Sequence, residues 1–101
     1  MTQLIKNIES YLVEEYLEDE ENFMNYVEDD ITGMLIDILE NVVRIKNLSG
    51  YCEEGISDGK YNVVIYNCNC DKESHFEHRA WDSIYDFSEN IVCCLKELKV
   101  I

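Results

Sequence analysis

Positive charge is what this sequence has least of. Its 101 residues include eight Lys and Arg against 22 Asp and Glu, which gives a formal net charge of −14. Recognition of nucleic-acid phosphates needs clustered Lys and Arg, and so does docking on anionic membranes. Because the few cations are dispersed along the chain, we expect neither nucleic acid nor a membrane as a direct partner.

Long apolar runs and linkers are also missing. No stretch approaches the roughly 20 apolar residues needed to span a bilayer. The first nine residues lack a long apolar region and end in Glu9, so we expect no signal peptide and a cytoplasmic location, in the host cell if a phage encodes the chain. Five cysteines are an odd number, which favours reduced thiols over a disulfide framework. Without a Pro/Gly/Ser-rich linker, residues 1–101 are predicted to form one domain.

Signatures of catalysis are absent as well. The chain contains no G-x-x-x-x-G-K-[ST], G-x-G-x-x-G, G-x-S-x-G or H-E-x-x-H pattern. Its acids do not follow the alternation of a calcium-binding EF-hand loop. The sequence therefore predicts a protein that is not an enzyme.

What the sequence does contain is apolar periodicity, in a composition that is 47% hydrophobic and so able to form a core. The apolar residues of 4–16 recur at four-residue spacing and predict an amphipathic helix that begins after Thr2. A second helical pattern covers 23–39, with a break at Gly33, and a third covers 81–98. The stripe expected to be buried on the third helix is Ile84, Phe87, Ile91, Leu95 and Leu98, widened by Trp81 and Tyr85.

Between the second and third helices the pattern changes to that of strands. Val42–Leu48 alternates and predicts a strand that Ser49 and Gly50 stop. Asp58-Gly59 is a hairpin signal, Tyr61–Cys68 is the strongest strand, and His75–Arg79 is a short third strand. The predicted fold class is α+β, with N-terminal helices, a two- or three-stranded antiparallel sheet, and a C-terminal helix packed on one face.

Acidic residues are concentrated near the N-terminus, where residues 1–30 hold ten acids against Lys6 alone. Glu14, Glu18 and Glu21 share one helix face, separated by roughly 5–6 Å along the axis, which is the scale of phosphate spacing along a nucleic-acid strand. One interpretation is that these carboxylates imitate nucleic-acid phosphates and bind a basic partner. The other is that they form a solvated helix face, although a net charge of about 2–8 is enough for solubility. Helical spacing also places Glu15 near the apolar stripe. Glu15 is therefore either paired with a neighbouring side chain or exposed to a partner. The predicted partner-binding acids are Glu14, Glu15, Glu18, Asp19, Glu20, Glu21, Glu28, Asp29 and Asp30.

Cysteine and histidine cluster in one short segment. Cys68, Cys70, His75 and His78 form C-x-C-x4-H-x2-H, and thiolates and imidazoles are the ligands that Zn²⁺ prefers. These four residues would make zinc the cofactor, although our prediction is that the chain has none. The alternative is that both cysteines continue the buried face of the preceding strand while both histidines lie on an edge strand. Cys93 and Cys94 are expected to fill the core from the last helix.

This chain resembles a known type of protein in two features. These are the acids from Glu14 to Asp30 and the strand–turn–strand–helix order from Val42 to Leu98. It resembles the small anti-CRISPR proteins of phages that block CRISPR nucleases by imitating DNA; anti-restriction proteins and inhibitors of DNA glycosylases share this character. The resemblance implies a host-defence nuclease as the partner and the acidic face as the contact. Two other functions stay open: an immunity protein against a nuclease toxin, and a small zinc-stabilised adaptor.

Overall fold

The computed structural model describes residues 2–15, 28–54, 60–79 and 83–101, with the backbone alone at 28–30 and at 54. The chain has N-terminal helices, an antiparallel sheet and a C-terminal helix, so the predicted α+β class is confirmed. A short π-helical segment, Leu39–Val43, continues the second helix. The described elements are α1 (Thr2–Glu15), α2 (Glu28–Ile38), β1 (Leu48–Glu54), β2 (Lys60–Asn67), β3 (Lys72–Arg79) and α3 (Ile84–Glu97).

The three strands form a meander in the order β1-β2-β3, with both neighbours antiparallel to the central β2. Side chains alternate between the two faces of a strand, so the register assigns every residue to a face. The inner face carries Cys52, Val63 and Ile65, which belong to the core that the described helices share. The outer face carries the cross-strand row Tyr51, Val64 and His75.

The first and last helices supply most of the remaining core. The predicted first helix is present, although Thr2 is its first residue rather than its N-cap, and α1 buries Ile5, Ile8 and Leu12 against the neighbouring elements. α3 buries the whole predicted stripe from Ile84 to Leu98.

The start of α3 differs from the prediction of residue 81. Ser83 is the N-cap, since its hydroxyl accepts a hydrogen bond from the Asp86 N–H at 3.0 Å while the Asp86 carboxylate accepts one from the Ser83 N–H at 3.3 Å. Tyr85 was predicted to widen the buried stripe, and this is wrong: its side chain is 48% exposed. One residue on a helix turns the side chain by about a quarter of a turn, which takes Tyr85 away from the core that Ile84 enters.

α2 and the segment that follows it contradict the sequence prediction in two places. α2 passes through Gly33 without a break, and Val42–Leu48 is not a strand, because the π-helical segment carries the helix on to Val43. The Arg44 N–H donates to the carbonyl of Leu39, five residues earlier, at 2.9 Å, and Arg44 ends the helix with φ 56°. Val42, Val43 and Leu48 nevertheless all pack against the core, the first two from a helix end and the third from a strand start.

Ser49 and Gly50 were predicted to stop a strand, and instead they lie inside β1. Gly50 is there for close packing rather than for a turn. A Cβ at this position would lie 2.5 Å from Leu35 Cδ2 and 2.7 Å from the Val64 carbonyl oxygen. The absence of a side chain therefore lets α2 approach the sheet.

The rest of the sheet agrees with the prediction. The strongest strand pattern corresponds to β2, and the third strand exists and is longer than expected. β1 and β2 pair as a hairpin, as Asp58-Gly59 predicts, although that turn itself lies outside the described residues.

Candidate functional site

The predicted partner-binding acids are only partly within the described residues. Glu14 and Glu15 end α1, and both side chains are exposed. The local pairing considered for Glu15 is not seen among the described residues. Glu28, Asp29 and Asp30 form the first turn of α2, where the backbone alone is described, and Glu18, Asp19, Glu20 and Glu21 lie outside the described residues.

A second set of acids meets the end of α1 from another element. Tyr11 of α1 packs against the edge of the core, and the side-chain amide of Asn41 donates to its hydroxyl at 3.4 Å. The same amide donates to the Asp37 carbonyl at 2.9 Å, which fixes the side chain of Asn41 within the π-helical segment. The contact joins α1 to the end of α2. It brings together what we call the Tyr11 acidic surface: Glu14, Glu15, Asp37 and Glu40.

Three of these charges, those of Glu15, Asp37 and Glu40, act on the hydroxyl of Tyr11. Burial raises the pKa of the Tyr11 hydroxyl, and the negative charges of Asp37 and Glu15 raise it further. Glu40 adds a smaller contribution in the same direction, while the hydrogen bond with Asn41 opposes it. The tyrosine therefore lies in a negative potential produced by two separate elements.

The Tyr11 acidic surface borders a polar groove of about 420 Å³ between α1 and the π-helical segment. Arg44 lies at its far end, where its Nε donates to the Asn41 carbonyl at 2.9 Å. The residues lining the groove are Asn7, Ser10, Tyr11, Glu14, Asn41, Val42 and Arg44.

Sequence reasoning missed Asp37 and Glu40, because residues 31–50 carry no net charge. The sequence does contain a signal for them: Asp37 and Glu40 are three residues apart in a segment with a helical apolar pattern. This spacing places both acids on one side of a helix. The contribution from α2 becomes visible only when the fold brings Asp37 beside Tyr11.

A second group of acids surrounds Tyr85, at the side of α3 that faces α1. A hydrogen bond with Glu89 and its negative charge are the largest causes of a raised pKa at the Tyr85 hydroxyl. Burial, Glu9 of α1 and Asp86 of α3 add to the increase. Acids of the first and last helices therefore both act on the hydroxyl of Tyr85.

Cations do little to neutralise these groups. All eight Lys and Arg fall inside the described ranges, and the ion pair seen there joins Arg79 Nε to Glu77 Oε1 at 3.0 Å on the sheet. Within the described part of the chain, no ion pair holds Glu14, Glu15 or Glu40. The charges of Glu14, Glu15 and Glu40 are therefore accessible to a partner that approaches the Tyr11 acidic surface.

The four predicted zinc ligands are not gathered at one site. β2 ends at Asn67, so Cys68 and Cys70 are exposed in the following turn and do not continue a buried face. His75 and His78 are three residues apart on β3 and therefore point to opposite faces of the sheet. Among the described residues, no group of three or more His, Cys, Asp and Glu side chains is placed to hold a metal ion.

His78 is instead part of the core. It is 2% exposed, and its ring meets that of Phe87 edge-on with centroids 5.0 Å apart. Of the cysteines expected to fill the core from α3, Cys94 is buried and Cys93 is exposed. Burial is the main cause of the raised pKa of the Cys94 thiol.

None of the helices in the described part of the chain has the length and apolar character of a bilayer-spanning segment. No family model, curated protein or solved structure matches this chain. Any function must therefore be argued from the surface that the fold assembles.

Proposed function

We propose that this chain is a non-enzymatic inhibitor that binds the basic, nucleic-acid-binding surface of a nuclease or defence effector by imitating DNA phosphates. The observation that supports this most is the convergence of Glu15, Asp37 and Glu40 on Tyr11 from two elements. Carboxylates held close together repel one another and weaken the fold, so folding alone does not require them. A partner that supplies cations compensates for this repulsion.

The chemistry of such binding follows from the charge. Opposite potentials accelerate the encounter and orient the two proteins, and salt screens both effects. Tyr11 adds a polar aromatic group at the centre of the carboxylates, a residue type enriched at protein interfaces. An inhibitor of this kind acts in the compartment of its target, which for a nuclease of host defence is the cytoplasm.

The test starts from DNA-binding proteins, prepared from a bacterial lysate by retention on heparin. These proteins are passed over the immobilised chain at low salt, and the column is eluted with duplex DNA. We expect DNA to displace a protein whose own DNA binding the free chain then blocks, with an affinity that falls steeply as salt rises.

Two matched variants locate the contact. Glu15→Lys/Glu40→Lys reverses two exposed acids of the Tyr11 acidic surface, while Glu9→Lys/Glu89→Lys reverses two acids beside Tyr85 and changes the net charge equally. The first should lose at least about tenfold in affinity, as expected for a few close charge pairs, and the second much less. Equal losses in both variants would mean that net charge alone drives binding, and no loss in either would overturn the proposal.

A further inference from the structure

The outer face of the sheet carries an aromatic pair that the core does not use. Tyr51 of β1 and Tyr66 of β2 are diagonal neighbours, with ring centroids 6.2 Å apart and planes inclined at 54°. Val64, directly opposite Tyr51, is only 4% exposed, although it is not part of the helix-covered core. Two tyrosines thus flank a buried valine and form a small aromatic surface on the side opposite the described helices.

Carboxylates lie on both sides of this pair. Glu53 follows Tyr51 by two residues on the same face of β1, and Glu73 of β3 is directly opposite Tyr66. After burial, the charges of Glu53 and Glu73 are the next causes of the raised pKa of the Tyr51 hydroxyl, so both reach it electrostatically. Glu77, further along the same face, is engaged by Arg79.

The aromatic pair continues into a recess of about 350 Å³ at the β2–β3 turn. Tyr66 and Glu73 form one side, and Asp71, held at φ 54° in the turn, contributes a second carboxylate. The recess therefore offers an aromatic ring and two acids to the same small group. This combination suits a planar cation.

We propose that this face, which comprises Tyr51, Tyr66, Glu53, Asp71 and Glu73, is a docking surface for arginine side chains of a partner protein. A guanidinium group stacks on aromatic rings and donates two parallel hydrogen bonds to a carboxylate, which the ammonium group of lysine does not do. The charge of the molecule favours a cationic partner over a second copy, because two chains of net charge −14 repel each other. The inference goes beyond the proposed function, since it concerns the face of the sheet opposite the helices and names the side chain that is recognised.

The test compares two peptide probes of equal charge, hexa-arginine and hexa-lysine, by NMR titration of the isotope-labelled chain. We expect hexa-arginine to bind at least about threefold more tightly, as exposed cation–π contacts allow, with the largest shifts at Tyr51, Val64 and Tyr66. Tyr51→Leu/Tyr66→Leu should remove this preference. Tyr85→Leu is the control, because Tyr85 is an exposed tyrosine beside acids for which no ring-to-ring contact is seen among the described residues.

Glu73→Gln provides a second variant that leaves both rings in place, and it should reduce the arginine preference by about half or more. Equal affinities for the two peptides, or shifts confined to the helices, would overturn the inference. So would concentration-dependent self-association of the chain that shifts the same three residues, because a second copy would then be the occupant. Glu15→Lys/Glu40→Lys should weaken both peptides alike and keep the preference, so this inference and the proposed function can fail separately.

Discussion

The hydroxyl oxygen of Thr32 on α2 accepts a hydrogen bond from the backbone N–H of Cys52 on β1, at 2.9 Å. β1 is an edge strand, and an edge strand exposes a row of unpaired backbone groups. Thr32 uses one of these groups to tie the helix to the sheet. Two residues earlier, Gly50 allows Leu35 of the same helix to lie against the strand. The two contacts together set the position of α2, and with it that of Asp37.

Replacement of Thr32 by valine should destabilise the fold by about 1–3 kcal/mol, because the Cys52 N–H loses its acceptor at a partly buried position. Thr32→Ser keeps the hydroxyl and is the control, with a smaller effect expected. Urea unfolding measures the free energy, and amide hydrogen exchange at Cys52 reports the bond directly. Unchanged exchange in Thr32→Val would show that the bond does not contribute.

The Tyr11 acidic surface predicts a specific titration. The pKa of Tyr11 is raised from its ordinary value of 10.0 by burial, Asp37 and Glu15, and to a smaller extent by Glu40. Glu15→Gln/Glu40→Gln should therefore lower it, while the pKa of Tyr51, which Glu53 and Glu73 raise, should stay unchanged. NMR titration of the labelled tyrosine rings distinguishes the two. A Tyr11 pKa that does not move would mean that these carboxylates point away from it.

The raised pKa of Tyr11 makes the free energy of unfolding depend on pH. The folded state holds the Tyr11 proton more tightly than the unfolded chain does, so its contribution is fully present below about pH 10. It is lost as the pH rises through the higher folded pKa. In Glu15→Gln/Glu40→Gln this loss should be smaller, as pH-dependent thermal unfolding can measure.

Local patterns predicted α3 and β2. The buried stripe of α3 follows from helical spacing, and β2 follows from the strand propensity of its residues; the structure bears out both. The boundary at Ser83 was also readable, since Ser83 and Asp86 have the spacing of a capping box. The aromatic pattern instead extends the predicted helix to Trp81, which lies outside the described residues.

The errors arise where tertiary contacts override local signals. Gly50 looks like a strand stop, yet it is required by Leu35, which is distant in sequence. Val42 and Leu48 follow an alternating pattern, although one belongs to a helix end and the other to a strand. For the site, the sequence indicated Glu14 and Glu15, but it could not show that Asp37 approaches Tyr11.

The cysteines give a prediction that also addresses the zinc hypothesis. Cys68, Cys70 and Cys93 are exposed, so iodoacetamide should alkylate them in the native protein. Cys52 and Cys94 are buried, and for Cys94 the raised thiol pKa slows the reaction further; both should react at least about tenfold more slowly. Peptide mass spectrometry over time measures this order. We expect the melting temperature to be unchanged by a chelator. If Cys68 and Cys70 are instead protected from alkylation and a chelator abolishes this protection, the zinc hypothesis is supported.

Two glycines should respond in opposite ways to the same substitution. Gly50→Ala places a methyl group against Leu35 and against the backbone oxygen of Val64; the side chain can move aside, but the backbone oxygen cannot without a shift of β2. We expect a loss of about 1–3 kcal/mol, as for other overpacked sites. Gly33→Ala adds the same methyl group in open space on an exposed helix position, and it should stabilise the fold by about 0.5–1 kcal/mol. Urea unfolding measures the free energy of unfolding of both variants. If Gly50→Ala is as stable as the parent chain, α2 does not lie against β1 as closely as the structure places it. Asp37 is then not held beside Tyr11.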